Sequence, residues 1–441
     1  MPDVTLPRVL TLAVPAMAAG VLQSAFRPVD QFFIQDLGAP AQGALGATTL
    51  VSILAYALFQ LVSAGIGPWV GRHTGANEID DRRTAVEQSL GAAGVIALGL
   101  ALCGWWITNP IVAFLGLTGE GAMHAEAYLR VLFITGPALA FSPTVDAIFH
   151  AMGDTRLPLR LQIGAVLLNI LLTPLLVPML GTAGAALGST LSQTTATLIG
   201  LAVLTRRLDL DPRRCIPRDR IRGILEVGSP VAMATAMFAF VYWLLMATVI
   251  PTLGQDVYAG LGLGFGVLES VAWPLYSGLA IAAASLVSRA LGADRPDLAW
   301  RAATRTLQLA VGVGASLSAV YGFAGPLIMD RFATDPAAYR EGVRYAMILA
   351  IAQPLVAIEA VCEGVLGGAG DTRKLLWTNA PLNLARVPLA WLFAIGLGFG
   401  ADGLWWAINL STLLKCVIMA GLVLQGGWRY RVLSVTRESL G

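Results

Sequence analysis

The chain has 441 residues, of which 56% are hydrophobic and only 13% are charged, whereas charged residues make up about 25% of soluble domains. Together with a mean hydropathy of +0.71, this composition excludes a soluble globular protein and indicates a polytopic membrane protein. The net charge of +2 argues against nucleic-acid binding. The cysteines and histidines lack metal or redox spacing, and neither lysine lies in a Walker A loop.

Twelve apolar segments follow one another along the chain. A membrane-spanning helix needs about 20 mainly apolar residues, and charged or Gly/Pro clusters separate the segments. The first segment resembles a signal peptide, but its apolar sequence continues past Gly20. We therefore interpret it as the first membrane-spanning helix. The predicted spans lie near 9–35, 44–70, 86–108, 127–150, 157–180, 183–204, 224–251, 258–288, 303–328, 342–366, 375–398 and 403–425.

The longest polar stretch, residues 205–222, is rich in arginine and divides the chain in two. Positively charged loops stay in the cytoplasm, and most of the lysines and arginines fall on the side of this stretch and of both termini. We therefore predict cytoplasmic termini. The predicted division is an N-lobe of six helices at 1–204, a basic cytoplasmic linker at 205–222 and a C-lobe of six helices at 223–441.

The tetrapeptide GDTR occurs at 153–156 and again at 370–373, so Asp371 follows Asp154 by 217 positions. A shift of about 217 residues also aligns prolines, glycines and arginines along both halves, which indicates two copies of a six-helix unit. Because six is even, both copies have the same orientation. We expect two lobes related by a pseudo-twofold axis along the membrane normal, with a cleft between them.

Five motifs in order carry a resemblance to a known family. They are VDQFFIQDLG (29–38), GDTRLP (153–158), LNILLTPLL (168–176), GTAGAALGSTLSQ (181–193) and AASLVSRALGA (283–293). With twelve predicted helices, the chain resembles the MATE (multidrug and toxic compound extrusion) family of the MOP flippase superfamily. The resemblance implies secondary active export of cationic or amphipathic compounds, driven by inward H⁺ or Na⁺, through lobes that open alternately to the two sides.

The resemblance also suggests a cation-coupling site in the N-lobe. Asp30 matches the acidic residue of the family's VDT motif, which is tied to cation coupling, and Asn169 matches the Asn of its N-I-x-L-D-P segment. Gln23 precedes Asp30 by seven residues and therefore shares its helix face. Two positions depart from the family pattern: Thr173 replaces the Asp of L-D-P, and Gln31 replaces the Thr of VDT.

Arg27 stands one turn before Asp30, where the family has a neutral residue, and the i, i+3 spacing allows the two to pair. Two interpretations stay open. A static ion pair would keep Asp30 ionised and remove it from proton transfer. An exchangeable partner would instead be released by protonation or by substrate.

Asp146 lies on the fourth predicted helix, eight residues before the loop residue Asp154, and Glu363 is its repeat mate, eight residues before Asp371. One hypothesis is that Asp146 supplies the second N-lobe carboxylate that is missing at Thr173, since two nearby carboxylates titrate as a coupled pair. The alternative is a group near the cytoplasmic end that meets water.

The predicted C-lobe holds further charges at membrane depth. We predict a buried ion-pair network, with a cation-binding role for Glu359 or Glu269 as the alternative. Trp273 and Tyr276 follow Glu269 by one and two turns, an arrangement that suits a lipophilic cation or ordinary packing. The candidate substrate-cleft residues are Gln31, Thr173, Glu269, Trp273, Tyr276, Glu359, Glu363, Arg386 and Lys415.

We thus predict an antiporter that exports cationic or amphipathic small molecules in exchange for H⁺ or Na⁺ by rocker-switch alternating access. A lipid-linked saccharide flippase of the same superfamily is the alternative, and twelve spans with few buried arginines disfavour it. A third interpretation is an integral-membrane enzyme, but the sequence shows no catalytic cluster. We expect a monomer in the inner or plasma membrane, in contact with lipid and a small-molecule substrate, with no cofactor, metal or nucleic acid.

Overall fold

The computed structural model describes residues 3–215, 219–333 and 335–433. Residues 216–218 of the predicted linker and 434–441 of the predicted C-lobe lie outside the described residues. The described chain contains helices and connecting turns, with no β-strand. This confirms the predicted all-α architecture.

Twelve helical segments follow one another in the predicted order. They are α1 (Leu6–Phe33), α2 (Pro40–Ala76), α3 (Ile79–Phe114), α4 (Gly119–Met152), α5 (Arg156–Leu180), α6 (Thr182–Leu208), α7 (Arg220–Leu253), α8 (Gln255–Gly292), α9 (Pro296–Phe332), α10 (Pro336–Ala350 and Gln353–Ala369), α11 (Thr372–Trp391) and α12 (Gly400–Gln425).

Nine of these segments are long and apolar enough to cross a membrane, and α4 and α10 are so if each is taken as one bent span. Helix α4 bends by 51° between its parts Gly119–Gly136 and Leu139–Met152. Helix α11 does not meet this criterion among the described residues. Helix α11 carries Arg373, Lys374, Asn379 and Asn383 among its apolar residues, and they lower its mean hydropathy. Helix α10 was predicted as one span but consists of two helices bent by 60°. Pro354 is the second residue of the second helix and has no N–H to continue the preceding hydrogen-bond ladder, which explains the break.

The repeated GDTR marks the same local structure in both halves. Gly153 (φ 86°) and Gly370 (φ 77°) end α4 and α10 in left-handed backbone, where a glycine carries no steric penalty. The N–H groups of Gly153 and Asp154 donate hydrogen bonds to His150 O and Phe149 O, respectively, both at 2.9 Å. This pair of backbone hydrogen bonds is typical of a helix C-terminus.

The corresponding bonds of the second copy run from Gly370 to Gly367 O and from Asp371 to Leu366 O, also at 2.9 Å. Each Asp then binds a basic side chain, since Asp154 pairs with Arg207 at 2.8 Å and Asp371 pairs with Lys374 at 2.6 Å. The two tetrapeptides are therefore equivalent points of a duplicated unit, as the sequence predicts.

The helices group into two compact units. Unit 1 contains the described residues of Met1–Ala18 and Met233–Arg431, and unit 2 contains those of Ala19–Ala232 and Val432–Gly441. The bounds of these units fall inside α1 and α7. The predicted lobes at 1–204 and 223–441 differ from the units at the first halves of these two helices and at Val432 and Leu433, and they remain a prediction.

In unit 2 the linker is held against the start of α3. The buried Glu87 carboxylate accepts the backbone N–H of Asp211 at 2.9 Å and Arg83 Nε at 3.1 Å. Gln88 Oε1 accepts the backbone N–H of Arg220 at 3.1 Å. Asp209 also pairs with Arg83 at 3.1 Å, so the linker contacts α3 both before residue 216 and after residue 218.

Helices α2 and α7 approach closely within unit 2 because glycines face the partner backbone. A Cβ at Gly65 would lie 2.1 Å from Ile224 O, and one at Gly228 would lie 2.0 Å from Leu61 O. Small residues allow this kind of backbone approach between membrane helices. The same helix also carries Gly67, whose hypothetical Cβ has no neighbour within 4 Å.

We expect Gly65→Ala to destabilise unit 2 by about 1–3 kcal/mol, because the added methyl group forces α2 and α7 apart. The measurement is thermal unfolding of the purified protein in detergent, followed by tryptophan fluorescence. Gly67→Ala is the matched control and should unfold at the wild-type temperature or slightly above it. Equal unfolding temperatures for the two variants would contradict the close approach.

Candidate functional site

Asp30 lies three residues before the end of α1 and is 3% exposed. Both of its carboxylate oxygens accept a hydrogen bond from Ser189 Oγ of α6, at 2.9 and 2.8 Å. Asn169 of α5 donates through Nδ2 to Ser189 Oγ at 3.0 Å and to Thr173 Oγ1 at 2.9 Å. Three helices of unit 2 therefore join Asp30, Asn169 and Thr173 through one serine.

A close approach of α5 and α6 builds this cluster. A Cβ at Gly188 would lie 2.6 Å from Thr173 Oγ1, so the glycine next to Ser189 lets α6 reach α5. The Asn169 and Thr173 side chains are completely buried. The Oδ1 atom of Asn169 is also buried and accepts no hydrogen bond from the residues that the structure describes. The cluster thus has an unused acceptor beside a carboxylate.

Ser189 is the functional residue that the sequence analysis missed. It lies inside the GTAGAALGSTLSQ motif, four residues before Gln193, so the two share a face of α6. This polar face of α6 is a sequence pattern from which Ser189 could have been predicted. Gln193 Nε2 donates to Gln23 Oε1 of α1 at 2.9 Å, which places the predicted Gln23 one layer further along the same α1–α6 contact.

Arg27 does not pair with Asp30 in this structure. Its guanidinium donates to Thr49 Oγ1 at the start of the long helix in α2, and its side chain is exposed. Both interpretations of Arg27 required a contact with Asp30, and the described residues show none. The i, i+3 spacing put the two side chains on neighbouring faces, but a long arginine reaches a different helix. Gln31 is exposed and has no bond to the cluster.

Asp146 is placed away from Asp30. It lies six residues before the end of α4, about 9 Å along the helix axis from the turn that contains Gly153. Asp30, in contrast, lies near the C-terminal end of α1, far from the start of that helix at Leu6. Its electrostatic neighbour is Tyr56 of α2. The structure therefore does not bring Asp146 to the position of a second carboxylate next to Thr173.

Unit 1 holds the predicted buried ion pair. Glu359 of α10 binds Lys415 of α12, and both residues are less than a tenth exposed. Glu363 accepts a hydrogen bond from Asn379 Nδ2 of α11 at 2.5 Å and lies in electrostatic range of Glu359 and Lys415. This layer thus contains one ion pair and one carboxylate, Glu363, that is bound by a neutral amide.

Arg386 belongs to the same unit but binds neutral groups. Its Nε donates to Ser411 Oγ at 2.7 Å, and Nη2 donates to Thr412 Oγ1 at 3.1 Å. The guanidinium also lies 5.9 Å from the ring centroid of Tyr242, a distance suited to a cation–π contact. The network predicted from the charges is therefore real for Glu359 and Lys415, whereas Arg386 is satisfied by hydroxyl groups and an aromatic ring.

Glu269 forms a separate polar cluster in unit 1. It ends a π-helical turn, Gly264–Glu269, and its Oε1 accepts a hydrogen bond from Tyr345 OH at 3.4 Å. Tyr321, which lies in a second π-helical turn, and Gln353 also face this carboxylate. Such turns occur frequently at functional sites.

The two aromatic residues after Glu269 separate. Tyr276 is fully buried and donates to Gln353 Oε1 at 2.5 Å, so it joins the Glu269 cluster through that amide. Trp273 is 53% exposed. The predicted pair does not form one aromatic surface, because Tyr276 is packed inside unit 1 whereas the Trp273 side chain is exposed.

The ion pair of Glu359 and Lys415 yields a prediction about stability. We expect Glu359→Gln or Lys415→Met to destabilise unit 1 by about 3–5 kcal/mol, because each leaves one buried charge unpaired. The double variant should recover most of this loss. Thermal unfolding in detergent measures all three proteins, and a double variant that loses the sum of both single losses would show that the pair is not coupled.

Comparisons with known proteins support the architecture throughout the chain. The family model MatE matches residues 15–175 and 230–392. A protein from Thermotoga maritima named "Probable multidrug resistance protein NorM" is 25% identical, over 97% of this chain and 94% of its own. The "FAD transporter" of Shewanella oneidensis is 24% identical, over 92% of this chain and 91% of its own.

Solved structures show the same fold at low sequence identity. A MOP superfamily transporter from Pyrococcus furiosus superposes with a TM-score of 0.90 at 18% identity, covering 97% of both chains. The outward-facing conformation of a multidrug resistance MATE transporter also gives a TM-score of 0.90, at 19% identity and the same coverage. With a family model that matches both halves of its sequence, this chain belongs to the MATE family.

Proposed function

We propose that this protein is a secondary active antiporter that exports small cationic or amphipathic molecules in exchange for H⁺ or Na⁺. The observation that carries the proposal is the buried Asp30 carboxylate, which accepts its hydrogen bonds from the neutral Ser189 of α6, itself bound by Asn169 of α5. A group of this kind, set in a MATE fold, suits reversible binding of a cation.

An ionised side chain at membrane depth costs roughly 2.5–3.5 kcal/mol on insertion scales and normally has a partner or a task. The described residues give Asp30 no basic partner, and Ser189 and Asn169 contribute dipoles but no charge. The carboxylate can therefore lower its free energy by taking up one positive charge from outside, either as a proton or as a metal cation.

Both coupling ions fit the atoms that are present. A proton would sit on a carboxylate oxygen and turn Asp30 into a donor. Na⁺ would find oxygen ligands in the Asp30 carboxylate, Ser189 Oγ and the unused Asn169 Oδ1.

The coupling ion supplies enough free energy for export. One charge that falls through ~150 mV releases about 3.5 kcal/mol. At 1.4 kcal/mol per decade, this sustains a substrate gradient of roughly 300-fold. Substrate would leave the cytoplasm or inner leaflet as the protein opens outward, and cation binding at Asp30 would favour the return. Nothing covalent occurs, so no catalytic residue or cofactor is required.

The charges of unit 1 bear on the substrate class. Lys415 is neutralised by Glu359, while Glu363 and Glu269 have neutral donors as partners. Two acidic groups that have no basic partner at hydrogen-bond distance among the described residues favour positively charged compounds. A flippase for a lipid-linked saccharide needs cationic side chains for a pyrophosphate, and Arg386 is already bound by hydroxyl groups. We expect the protein to act as a monomer in the inner or plasma membrane, with cytoplasmic termini.

Transport in proteoliposomes tests the proposal. Purified protein is reconstituted, a fluorescent organic cation is loaded on one side, and its movement is followed under an imposed H⁺ gradient or an imposed Na⁺ gradient. We expect Asp30→Asn to abolish gradient-driven transport, because an amide takes up neither cation. Asp146→Asn is the matched control and should transport like the wild type, since Asp146 lies away from the cluster.

The two gradients identify the ion, because only the coupling ion drives uphill movement. If Asp30→Asn transported at the wild-type rate under both gradients, the antiport mechanism proposed for this site would be wrong. If wild-type protein moved a lipid-linked saccharide and no organic cation, the flippase alternative would hold instead.

A second variant isolates the serine that connects the cluster. Ser189→Ala removes the hydroxyl that donates to both Asp30 oxygens, and hydrogen bonds to charged groups are worth about 1.5–3 kcal/mol. We therefore expect the half-saturating concentration of the coupling cation to change by about tenfold or more. Ser192→Ala is the control, because that hydroxyl bonds only to Gly188 O of its own helix, at 2.7 Å. Equal effects of the two substitutions would remove Ser189 from the site.

A further inference from the structure

One histidine and two carboxylates meet at the turn that joins α2 to α3 in unit 2. Asn77 has left-handed backbone (φ 62°), and the N–H of Glu78 donates to His73 O at 2.9 Å. The turn brings the Glu78 side chain back to the last turn of α2, where its Oε2 lies 2.6 Å from His73 Nδ1. Asp81 follows in the first turn of α3. One atom from each of the three side chains can be chosen so that all lie within 4.8 Å of one another.

The first residue of α7 places a positive charge against two of these side chains. Arg220 Nη1 lies 3.3 Å from His73 Nε2, and Nη2 donates to Asp81 Oδ1. An arginine can only donate hydrogen bonds, so Nε2 accepts, and the His73 ring carries its proton on Nδ1 and donates it to Glu78. A neutral imidazole and a carboxylate therefore face the same cationic group.

The exposure and charge of the group suit a divalent cation. The side chains of Glu78 and Asp81 are 52% and 46% exposed, whereas that of His73 is 12% exposed. An ion can therefore enter from water and meet a ligand that is already held in place. Within the group, two carboxylates face one guanidinium, so a single arginine balances half of the negative charge. Histidine spacing did not indicate this site, because the other two ligands are carboxylates beyond the turn.

We propose that His73, Glu78 and Asp81 form a binding site for one Zn²⁺ ion. In this site the metal displaces the guanidinium of Arg220. Imidazole nitrogen and carboxylate oxygen bind Zn²⁺ at about 2.0–2.2 Å, which puts tetrahedral ligands about 3.4 Å apart, so the side chains need to move by about 1 Å. The two exposed carboxylates have room for this movement. Mg²⁺ prefers oxygen ligands alone, so an imidazole in the set favours Zn²⁺.

The metal and the arginine exclude each other for a chemical reason. Zn²⁺ takes the lone pair of His73 Nδ1, so the single ring proton moves to Nε2, which then no longer accepts a bond from Arg220. The Asp81 carboxylate gives its charge to the metal. Arg220 thus loses both side-chain acceptors, while its main-chain N–H keeps its bond to Gln88 Oε1. Zn²⁺ would release the side chain at the start of α7 and leave the backbone path of the linker unchanged.

The distribution of positive charge predicts that the turn between α2 and α3 is cytoplasmic, so the ion would come from the cytoplasm. The group lies apart from the buried Asp30 carboxylate, which is held by α5 and α6. Binding of Zn²⁺ at the turn is therefore a property separate from cation coupling, and it adds a metal-dependent change at the end of the linker.

Equilibrium binding of Zn²⁺ to the full-length protein in detergent tests the site. The protein is purified without a histidine tag and treated with a chelator, and Zn²⁺ is titrated in competition with a fluorescent zinc indicator. We expect one Zn²⁺ per chain, which an excess of Mg²⁺ does not displace. His73→Gln and Asp81→Asn should each weaken binding by roughly 10–100-fold or more, because each removes a ligand.

Arg220→Ala distinguishes a metal site from a simple ion-pair cluster. Removal of the competing cation should make Zn²⁺ binding about three- to tenfold tighter, because the ligands no longer have to be freed first. Asp80→Asn is the matched control, since Asp80 is the exposed neighbour of Asp81 and is outside the group. This variant should bind Zn²⁺ like the wild type.

The proposal is overturned if the wild type binds no Zn²⁺ or binds Mg²⁺ equally well. It is also overturned if His73→Gln and Asp81→Asn bind Zn²⁺ as Asp80→Asn does, or if Arg220→Ala binds it no tighter than the wild type. Should His73→Gln fail to fold, Glu78→Gln takes its place, because this half-exposed side chain supplies the third ligand. Since metal binding is measured and not transport, the result is independent of the antiport mechanism.

Discussion

A carboxylate in the hydrocarbon layer must find its hydrogen-bond donors within the protein, because no water is there to supply them. Asp30 meets this requirement through Ser189, which in turn is held by Asn169. The arrangement needs three helices at fixed distances, and the glycine beside Ser189 sets one of them. The hydrogen bonding of Asp30 therefore depends on the close packing of the helices in unit 2.

The two copies of the duplicated unit satisfy their buried charges by different means. Unit 2 surrounds one acid with neutral donors. Unit 1 balances Glu359 with Lys415 and supports Glu363 and Glu269 with amide and phenol groups. The shared backbone, visible in the two GDTR turns, fixes where helices stop and start. The side chains between those turns have diverged, so each half contributes its own electrostatic environment to the transport protein.

Sequence reasoning predicted the helices, their order and the repeat, because apolar length and helix-ending glycines are local signals. It also selected Asp30, Asn169, Thr173 and Gln23, which the structure joins. It did not find Ser189, and it grouped Asp146 with Asp30. Helical periodicity tells which residues share a face of one helix, but it does not tell which other helix that face meets or at what depth. Arg27 shows the same limit, since its long side chain reaches Thr49 and not the neighbouring acid.

The linker on α3 is fastened by its backbone. Glu87 and Gln88 bind the main-chain N–H groups of Asp211 and Arg220, and main-chain groups are present whatever side chain a position carries. The side chains of the linker can therefore change without loss of these contacts. The exception is proline at position 211 or 220, because proline has no N–H to donate. We therefore expect related transporters whose linker sequences differ to keep the same linker path. The sequence constraint should instead fall on Glu87 and Gln88 of α3.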